Sequence, residues 1–288
     1  MKEVKMKEVL RFPKGINGSI DISIEGMRGN VLLKTYFDVD PKKMTNIRIC
    51  CSEGTEIGGK NGLKIGFDEG ENLCTIGNRY GTQKDCIIEI NVPFGYSIGL
   101  LKAHLCAKSK LVHDGVLINK IDLIVHDDSY AEFLQDLHCD NLFVELSSGA
   151  SFIGKGLFVH EYLVFNFLSR GKFTAGIIDA NDARIINTGS GGIVCQSFVS
   201  DSLSYEGVIY SVFNTQKFKV AKMSATFYGE ASFFAKECEV ETANIMLRNR
   251  SQFNLLRGSI SRLKLDAEIT SIFKQGKVVI DSSIITSL

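Results

Sequence analysis

The sequence predicts an all-β fold: a parallel β-solenoid with turns of about twenty residues, preceded by an antiparallel β region. Three observations carry this. Every twentieth position from Phe133 to Phe273 is large and apolar, reading Phe133, Ile153, Phe173, Ile193, Phe213, Phe233, Phe253, Phe273, and two places before each stands a small residue, reading Ala131, Ser151, Gly171, Gly191, Ser211, Ala231, Ser251, Ser271. Two columns held in step without an insertion mark stacked repeats, one turn of coil per repeat. Elsewhere apolar and polar residues alternate with the period of a strand, and no helical stripe is sustained. Proline stands only at 13, 41 and 93, so nothing after Pro93 interrupts a backbone ladder.

Taken in order, residues 8–92 read as the antiparallel region. Short alternating runs (Ile20–Ile24, Val31–Phe37, Ile47–Cys50, Leu63–Phe67, Ile87–Val92) are separated by glycine-rich turns at 25–30 and 58–62. Residues 1–92 are therefore expected to form an N-terminal β region that packs on the start of the coil, and residues 93–288 the solenoid. Alternation resumes at Leu101, Ala103, Leu105 and Ala107, then at Val116, Ile118, Ile121, Leu123 and Val125, and the strict register begins near 121.

Two further columns define a second side. One reads Leu123, Phe143, Leu163, Ala183, Leu203, Met223, Ala243, Leu263; the other reads Val125, Glu145, Phe165, Ile185, Tyr205, Ala225, Ile245, Leu265. Glu145 interrupts the second, and a local bulge that turns Val144 or Leu146 inward would account for it. A third side follows Val220, Val240, Ile260 and Ile280, whereas Leu137, Leu157 and Ile177 come a few places sooner, which reads as a change of phase near residue 200. At about 4.8 Å per strand, eight such turns stack over roughly 38 Å. Each buried phenylalanine contributes about 1.5–3 kcal/mol by transfer from water, so the column is a major stabilising term. The small column has two candidate causes: a bend where space is short, or backbone angles that glycine alone adopts freely.

Composition removes several function classes. Lys plus Arg number 33 and Asp plus Glu number 33, with no long run of one sign, so nucleic acid is not expected as a partner. The charged start and the lack of a long apolar run predict no secretory signal and no membrane insertion. Eight cysteines stand at irregular spacing with no Cys-x-x-Cys pair, and Cys50 and Cys51 should point to opposite faces of a strand. Reduced, mostly buried thiols in a cytoplasmic protein are the expectation.

The segments Gly149-Ala150-Ser151-Phe152-Ile153, Gly189-Ser190-Gly191-Gly192-Ile193 and Gly229-Glu230-Ala231-Ser232-Phe233 resemble the Gly-Ser-Gly-x-hydrophobic turns of a bacterial family, the auto-transporter adhesin head ("head GIN") domain, and of related β-strand repeat proteins of unknown function. The run Ile87–Pro93 resembles the apolar strand ending in proline that precedes the coil in that family. The resemblance covers about residues 15–285. It implies a right-handed β-helix, the usual hand of parallel crossovers, and no known reaction. Members of the family typically carry an export or lipoprotein signal, which the start of this sequence lacks.

Few residues point to chemistry. There is no Gly-x-x-x-x-Gly-Lys-Ser/Thr loop, no Gly-x-Ser-x-Gly and no His-Glu-x-x-His, and Gly189, Gly191 and Gly192 belong to the repeat rather than to a nucleotide loop. No cofactor is expected. Asp140 and His160 lie one repeat apart and His138 two residues before Asp140; this trio could ligate a divalent metal or act as an acid–base pair. The plainer reading is a solvated edge with a cross-strand pair worth a few tenths of a kcal/mol. The later outward positions Arg184, Ser204, Ser224, Asn244 and Lys264 form no carboxylate cluster of the kind a glycan-cleaving coil uses.

On the early turns, by contrast, outward positions are apolar: Ile124, Val144 and Val164 in one column, Leu142 and Tyr162 in another. Such a face calls for a cover, either the N-terminal region, a partner or a second copy. The final segment, residues 281–288, is not a strongly charged cap for a strand edge. The expected function is a non-enzymatic structural or interaction scaffold that self-associates through a coil end or this lateral face, with another protein or a glycan as further partner classes. The alternative is an adhesin-like protein that binds carbohydrate or a cell surface, for which Tyr130, Tyr162 and Tyr210 are the candidate aromatics. A third reading is an enzyme using His138, Asp140 and His160.

Overall fold

In the computed structural model, alternation of apolar and polar residues becomes strand throughout. The structure describes residues 5–13, 19–27, 29–36, 46–58, 62–77 and 86–287, which form nineteen β-strands and no helix. Residues 1–4, 28, 37, 41 and 59–61, on which parts of the sequence reading fall, lie outside the described residues. The strands are β1 (Met6–Pro13), β2 (Ser19–Met27), β3 (Asn30–Tyr36), β4 (Asn46–Ser52), β5 (Lys64–Asp68), β6 (Leu73–Gly77), β7 (Ile87–Pro93), β8 (Ser97–Leu105), β9 (Lys110–Asp114), β10 (Leu117–Val125), β11 (Tyr130–Phe133), β12 (Leu137–Leu146), β13 (Ser151–Phe167), β14 (Lys172–Asn187), β15 (Gly192–Val208), β16 (Val212–Tyr228), β17 (Ser232–Leu247), β18 (Gln252–Ala267) and β19 (Ile272–Ser287). Contacts divide the chain into two compact units, residues 1–139 with 150–154, and residues 140–149 with 155–288.

In the first unit, parallel and antiparallel pairing coexist. β1 pairs antiparallel with β4, β4 with β7, and β5 with β6. The remaining pairs are parallel: β2 lies between β6 and β8, and β3 between β7 and β9. β2 and β3 are thus a turn of the coil itself, stacked out of chain order between the β6–β7 turn and the β8–β9 turn. The parallel stack continues from β8 to β10 and from β9 to β11. Cys50 and Cys51 do face opposite ways in β4, the second fully buried. All eight thiols are free.

In the second unit, β14 to β19 stack in parallel, each residue opposite the one twenty places on. Phe173, Ile193, Phe213, Phe233, Phe253 and Phe273 form one inward ladder. Its rings stack nearly flat at centroid separations of 5.0 Å (Phe213–Phe233), 4.4 Å (Phe233–Phe253) and 5.7 Å (Phe253–Phe273). Offset stacking of this kind adds about 0.5–1.5 kcal/mol per pair beyond burial.

The register is not strictly twenty further back. Lys110 lies opposite Tyr130, twenty residues on, but Tyr130 lies opposite Ser151, twenty-one on. The extra residue sits among three exposed side chains, Leu134, Gln135 and Asp136, where most turns place only two residues between buried neighbours. A second extra residue lies among the exposed His160, Glu161 and Tyr162, between buried Val159 and Leu163; the next turn has two residues between Ala180 and Ala183. A slip of one residue exchanges the faces of a strand, and several early assignments change accordingly. Phe152, not Ile153, is buried, and it lies opposite Ala131, while Phe133 lies opposite Gly154 in the adjacent column. Val144 and Leu146 point inward and Phe143 and Glu145 do not, as a bulge requires. No change of phase occurs near residue 200. In the second unit Leu157, Ile178, Phe198 and Phe218 are all buried, as are Val159, Ala180, Ser200 and Val220, so both columns are present well before residue 200; Ile177 is exposed.

The small column has a cause the sequence did not show. Its side chains sit at a corner, where a hydroxyl can add a second acceptor to an N–H that also meets a backbone carbonyl, as the Ser109 N–H meets Cys106 and the Arg248 N–H meets Phe227. Ser129, which the slip sets opposite Ala150, two places before the buried Phe152, accepts at Oγ from the Ser109 N–H at 3.0 Å, and Ser251 Oγ accepts from the Arg248 N–H at 3.0 Å. Where the column holds Gly191, the Asn187 side chain substitutes, donating to the Gly191 carbonyl at 2.9 Å and accepting from the Gly189 N–H at 3.4 Å. A Cβ at Gly191 would overlap the Gly171 carbonyl oxygen, so close approach rather than a special φ selects glycine.

Buried His113 stands out in the first unit. Its Nε2 donates to the Val116 carbonyl at 2.7 Å, which leaves Nδ1 an acceptor with no partner, and its ring lies 4.8 Å from that of Phe133. Burial pushes its pKa below the usual 6.5, against smaller opposing effects of the Val116 carbonyl and Asp114.

Two predictions follow from these cores. Phe233→Ala removes the centre of the ring ladder and should cost about 3–5 kcal/mol in urea unfolding, against a much smaller effect at the exposed end, Phe273→Ala. For His113, both folded and unfolded chains are neutral above about pH 6.5; as the pH falls below that, the unfolded chain binds the proton first, so stability is full at high pH and declines toward acid. The urea midpoint should therefore fall between about pH 7.5 and about pH 5.5, and fall less in His113→Phe.

Candidate interaction site

The five residues expected to make an apolar outer face do not make one. Leu142 and Val144 are buried in the core, because the single extra residue before them reverses the faces of β12. Ile124 and Val164 are half-buried, and only Tyr162, at 59%, is well exposed, in the bulge at 160–162. His138 and His160 are exposed and Asp140 half-buried. Asn141 donates to the Glu161 carboxylate at 3.0 Å, so positions twenty apart are side by side at this corner, and Asp140 and His160 occupy the pair before it. Asn181 Nδ2 donates to the His160 carbonyl. Among the described residues, no group of three His, Cys, Asp or Glu side chains could hold a metal ion.

A groove of about 530 Å³ lies on β15 to β18, floored by Phe218, Cys238 and Gly258. Its walls carry ladders of charge: Lys217, Glu237 and Arg257 on one side, Lys219 and Glu239 on the other, in register. Arg257 bonds Glu237 and holds its carboxyl below the usual range, and Lys219 meets Glu239 at 3.2 Å. These pairs satisfy one another at an exposed surface and contribute little to stability. Beneath them, burial pushes the Cys238 thiol up to about 11, so it is not a poised nucleophile. The floor exists because this inward column shrinks from Phe218 through Cys238 to Gly258. Gly258 holds φ +132°, and a Cβ there would overlap the Cys238 carbonyl oxygen.

A second groove, of about 430 Å³, follows the corner of β15 to β18 and is lined by Ile209, Tyr210, Gly229, Glu230, Asn249, Arg250 and Thr270. Ile209 has φ 66°, a left-handed conformation that a β-branched residue adopts at a cost; the equivalent corners use Gly229 and Asn249.

The most exposed apolar surface is on β19. It pairs along its whole length with β18, and among the described strands no register sets another on its other edge, β2 being paired with β6 and β8. At the end of the strand an inward position is uncovered: Leu265 is 4% exposed, while Ile285, directly next in the column, is 64% exposed; Val278, by contrast, is buried. On the outer face of the same strand Val279 and Ile284 are exposed. The strand thus presents one side of a sixteen-residue edge, with Ile285 uncovered beside it, and within it the Gln275 side chain already donates to the Val278 carbonyl at 2.6 Å. The column arithmetic locates this edge; it does not show how far its inward side chains remain uncovered.

No protein-family model matches the chain, and no curated protein matches its sequence. In architecture it is similar to a solved structure described as a "putative adhesin" from Parabacteroides merdae, at 12% identity and TM-score 0.43, covering 100% of this chain and 97% of that one. It is also similar to a second "putative adhesin", from Bacteroides fragilis, at 12% identity and TM-score 0.29, covering 99% and 98%.

The groove floor gives a test. Gly258→Ala should destabilise the second unit by about 1–3 kcal/mol, because it combines strained φ with a steric clash; an unchanged denaturation midpoint would show that the backbone there relaxes freely.

Proposed function

We propose that the chain is a non-enzymatic interaction scaffold that associates through the open edge of β19. The observation that carries this reading is the sixteen-residue edge itself, with Val279, Ile284 and Ile285 exposed beside it. Unpaired strand backbone is a template for another strand, and a soluble protein usually blunts such an edge with charge, proline or a covering segment. β19 has no proline, and its charges are confined to Lys274, Lys277 and Asp281. A scaffold role also accords with grooves whose charged side chains are already paired and with thiols at Cys195 and Cys238 that burial raises to about 11.

A second reading, adhesin-like binding of carbohydrate, is favoured by the corner groove. The exposed Tyr210 ring offers a stacking face, Glu230, Asn249 and Arg250 offer hydrogen bonds, and the strained Ile209 beside them is not required by the fold. Binding on a glycan array that is lost in Tyr210→Ala would support it; binding unaffected by that change would place the glycan elsewhere.

Association by β19 predicts a solution mass that rises with concentration above the 31.8 kDa of one chain in light scattering, and a return toward that mass in Ile285→Lys. A strict monomer at high concentration would overturn the first reading.

A further inference from the structure

The shape and chemistry of β19 determine what it can pair with. Its inward positions are fixed by the columns beneath them: Phe273 and Gln275 on one side of the coil, Val278 and Ile280 on the next, Ser283 and Ile285 on the third. These six are symmetric about Val279. Reversing the strand end for end about that residue places Phe273 on Ile285, Gln275 on Ser283 and Val278 on Ile280. Every inward position then meets an inward one on all three sides. Any other antiparallel register sets at least one inward residue against an outward one, because the corners no longer coincide.

The chemistry agrees with this register at most positions, Lys274 against Ile284 being the exception. The inward pairs are apolar with apolar (Phe273 with Ile285, Val278 with Ile280) and polar with polar (Gln275 with Ser283). On the outer face, Lys277 meets Asp281 of the other strand, and by symmetry this charge pair forms twice. Val279 meets its own counterpart. Opposite charges and like apolar residues directly across an antiparallel pair are the favourable combinations.

Head-to-tail growth has no comparable partner strand. Among the described residues the other edge strands are β1, of eight residues, and β5, of five, each paired antiparallel on its inner side. β1 exposes Lys7, Glu8 and Arg11 along its length. Neither follows three sides of a coil, so neither can match a sixteen-residue edge that does. The described edge with the required shape is β19 of a second copy.

We propose that two copies of this chain pair β19 to β19 in antiparallel sense about a twofold axis through Val279, giving a closed dimer rather than an open filament. The proposal rests on the reading that β19 is the association edge and adds its partner, register and symmetry. Isologous contacts close after two copies; heterologous ones propagate.

Cross-linking tests the register directly. In the full-length Val279→Cys variant, the two introduced thiols face each other across the axis, at the about 4.5–5.5 Å Cα separation of paired strands, within disulfide range. In Lys277→Cys they are offset by four residues, about 14 Å, and out of range. Mild oxidation should therefore give a covalent dimer with Val279→Cys and not with Lys277→Cys or the unaltered chain, which controls for the eight native thiols. Independently, Lys277→Asp or Asp281→Lys alone should raise the dimer dissociation constant about tenfold, and the double exchange should restore it. Association without Val279→Cys cross-linking, or a mass that climbs past two copies, overturns the twofold register and leaves β19 association standing. A monomer under all conditions overturns both.

Discussion

Parallel pairing of each turn with the next is the constraint on which the rest of the structure depends. When residue i hydrogen bonds beside residue i+20, the side chain of one turn stands directly over that of its predecessor, and every column of the coil becomes a line of like environments. Phenylalanine can then recur because each ring finds a flat neighbour at 4.4–5.7 Å. Serine can recur at the corner because its hydroxyl is small and can accept from a nearby backbone N–H, as at Ser129 and Ser251. Charged side chains on the outside form ladders for the same reason, and where the signs alternate, as in Lys217, Glu237 and Arg257, they pair down the column. One backbone rule thereby sorts residues by type without any element specifying the others.

The same rule explains what could be read in the sequence. From Phe173 onward the register never slips, and the first two sides read from residue spacing are those the structure contains; only the third side differs, where Ile177 is exposed and no change of phase occurs near residue 200. Before that point two single residues are added, among residues 134–136 and 160–162, and both lie in exposed corners. Corners carry no apolar pattern, so an insertion there leaves no local mark; it shows only as a displaced face on the strands around it. Glu145 was such a mark, an acidic residue in an otherwise apolar column, and the bulge it called for turned Val144 and Leu146 inward. Ile153 was another, but an isoleucine that follows Phe152 gives no sign of which of the two is buried. Leu142 and Val144, read as a sticky outer face, were core residues seen one place out of step.

The columns also separate residues kept for the coil from residues that the coil does not need. Gly191 and Gly258 serve close approach of neighbouring turns, so neither indicates a ligand. His113 fills an inward position over Phe133, where its unpartnered Nδ1 tolerates burial only in the neutral form. Ile209 belongs to the other class. Its corner is satisfied in adjacent turns by Gly229 and Asn249, both better suited to a left-handed backbone, and its own side chain is exposed beside Tyr210. A residue that costs the fold and buries little there is the kind that binding rather than packing explains.

An open coil differs from an open sheet in what can complete it. A flat edge accepts any strand of suitable length, which is why such edges lead to indiscriminate aggregation. The edge of β19 bends twice, and its inward residues change parity at each bend, so a straight strand can pair with one side only. Continuing over all three sides requires a partner with the same two corners at the same spacing. Within a coil the next turn has this property when laid parallel; the turn itself has it when reversed, because the two outer sides are equally distant from Val279. Selectivity of this edge thus arises from its geometry, and Lys277 and Asp281, placed equally on either side of the centre, add a preference for the reversed copy over a parallel one, in which each would meet its like.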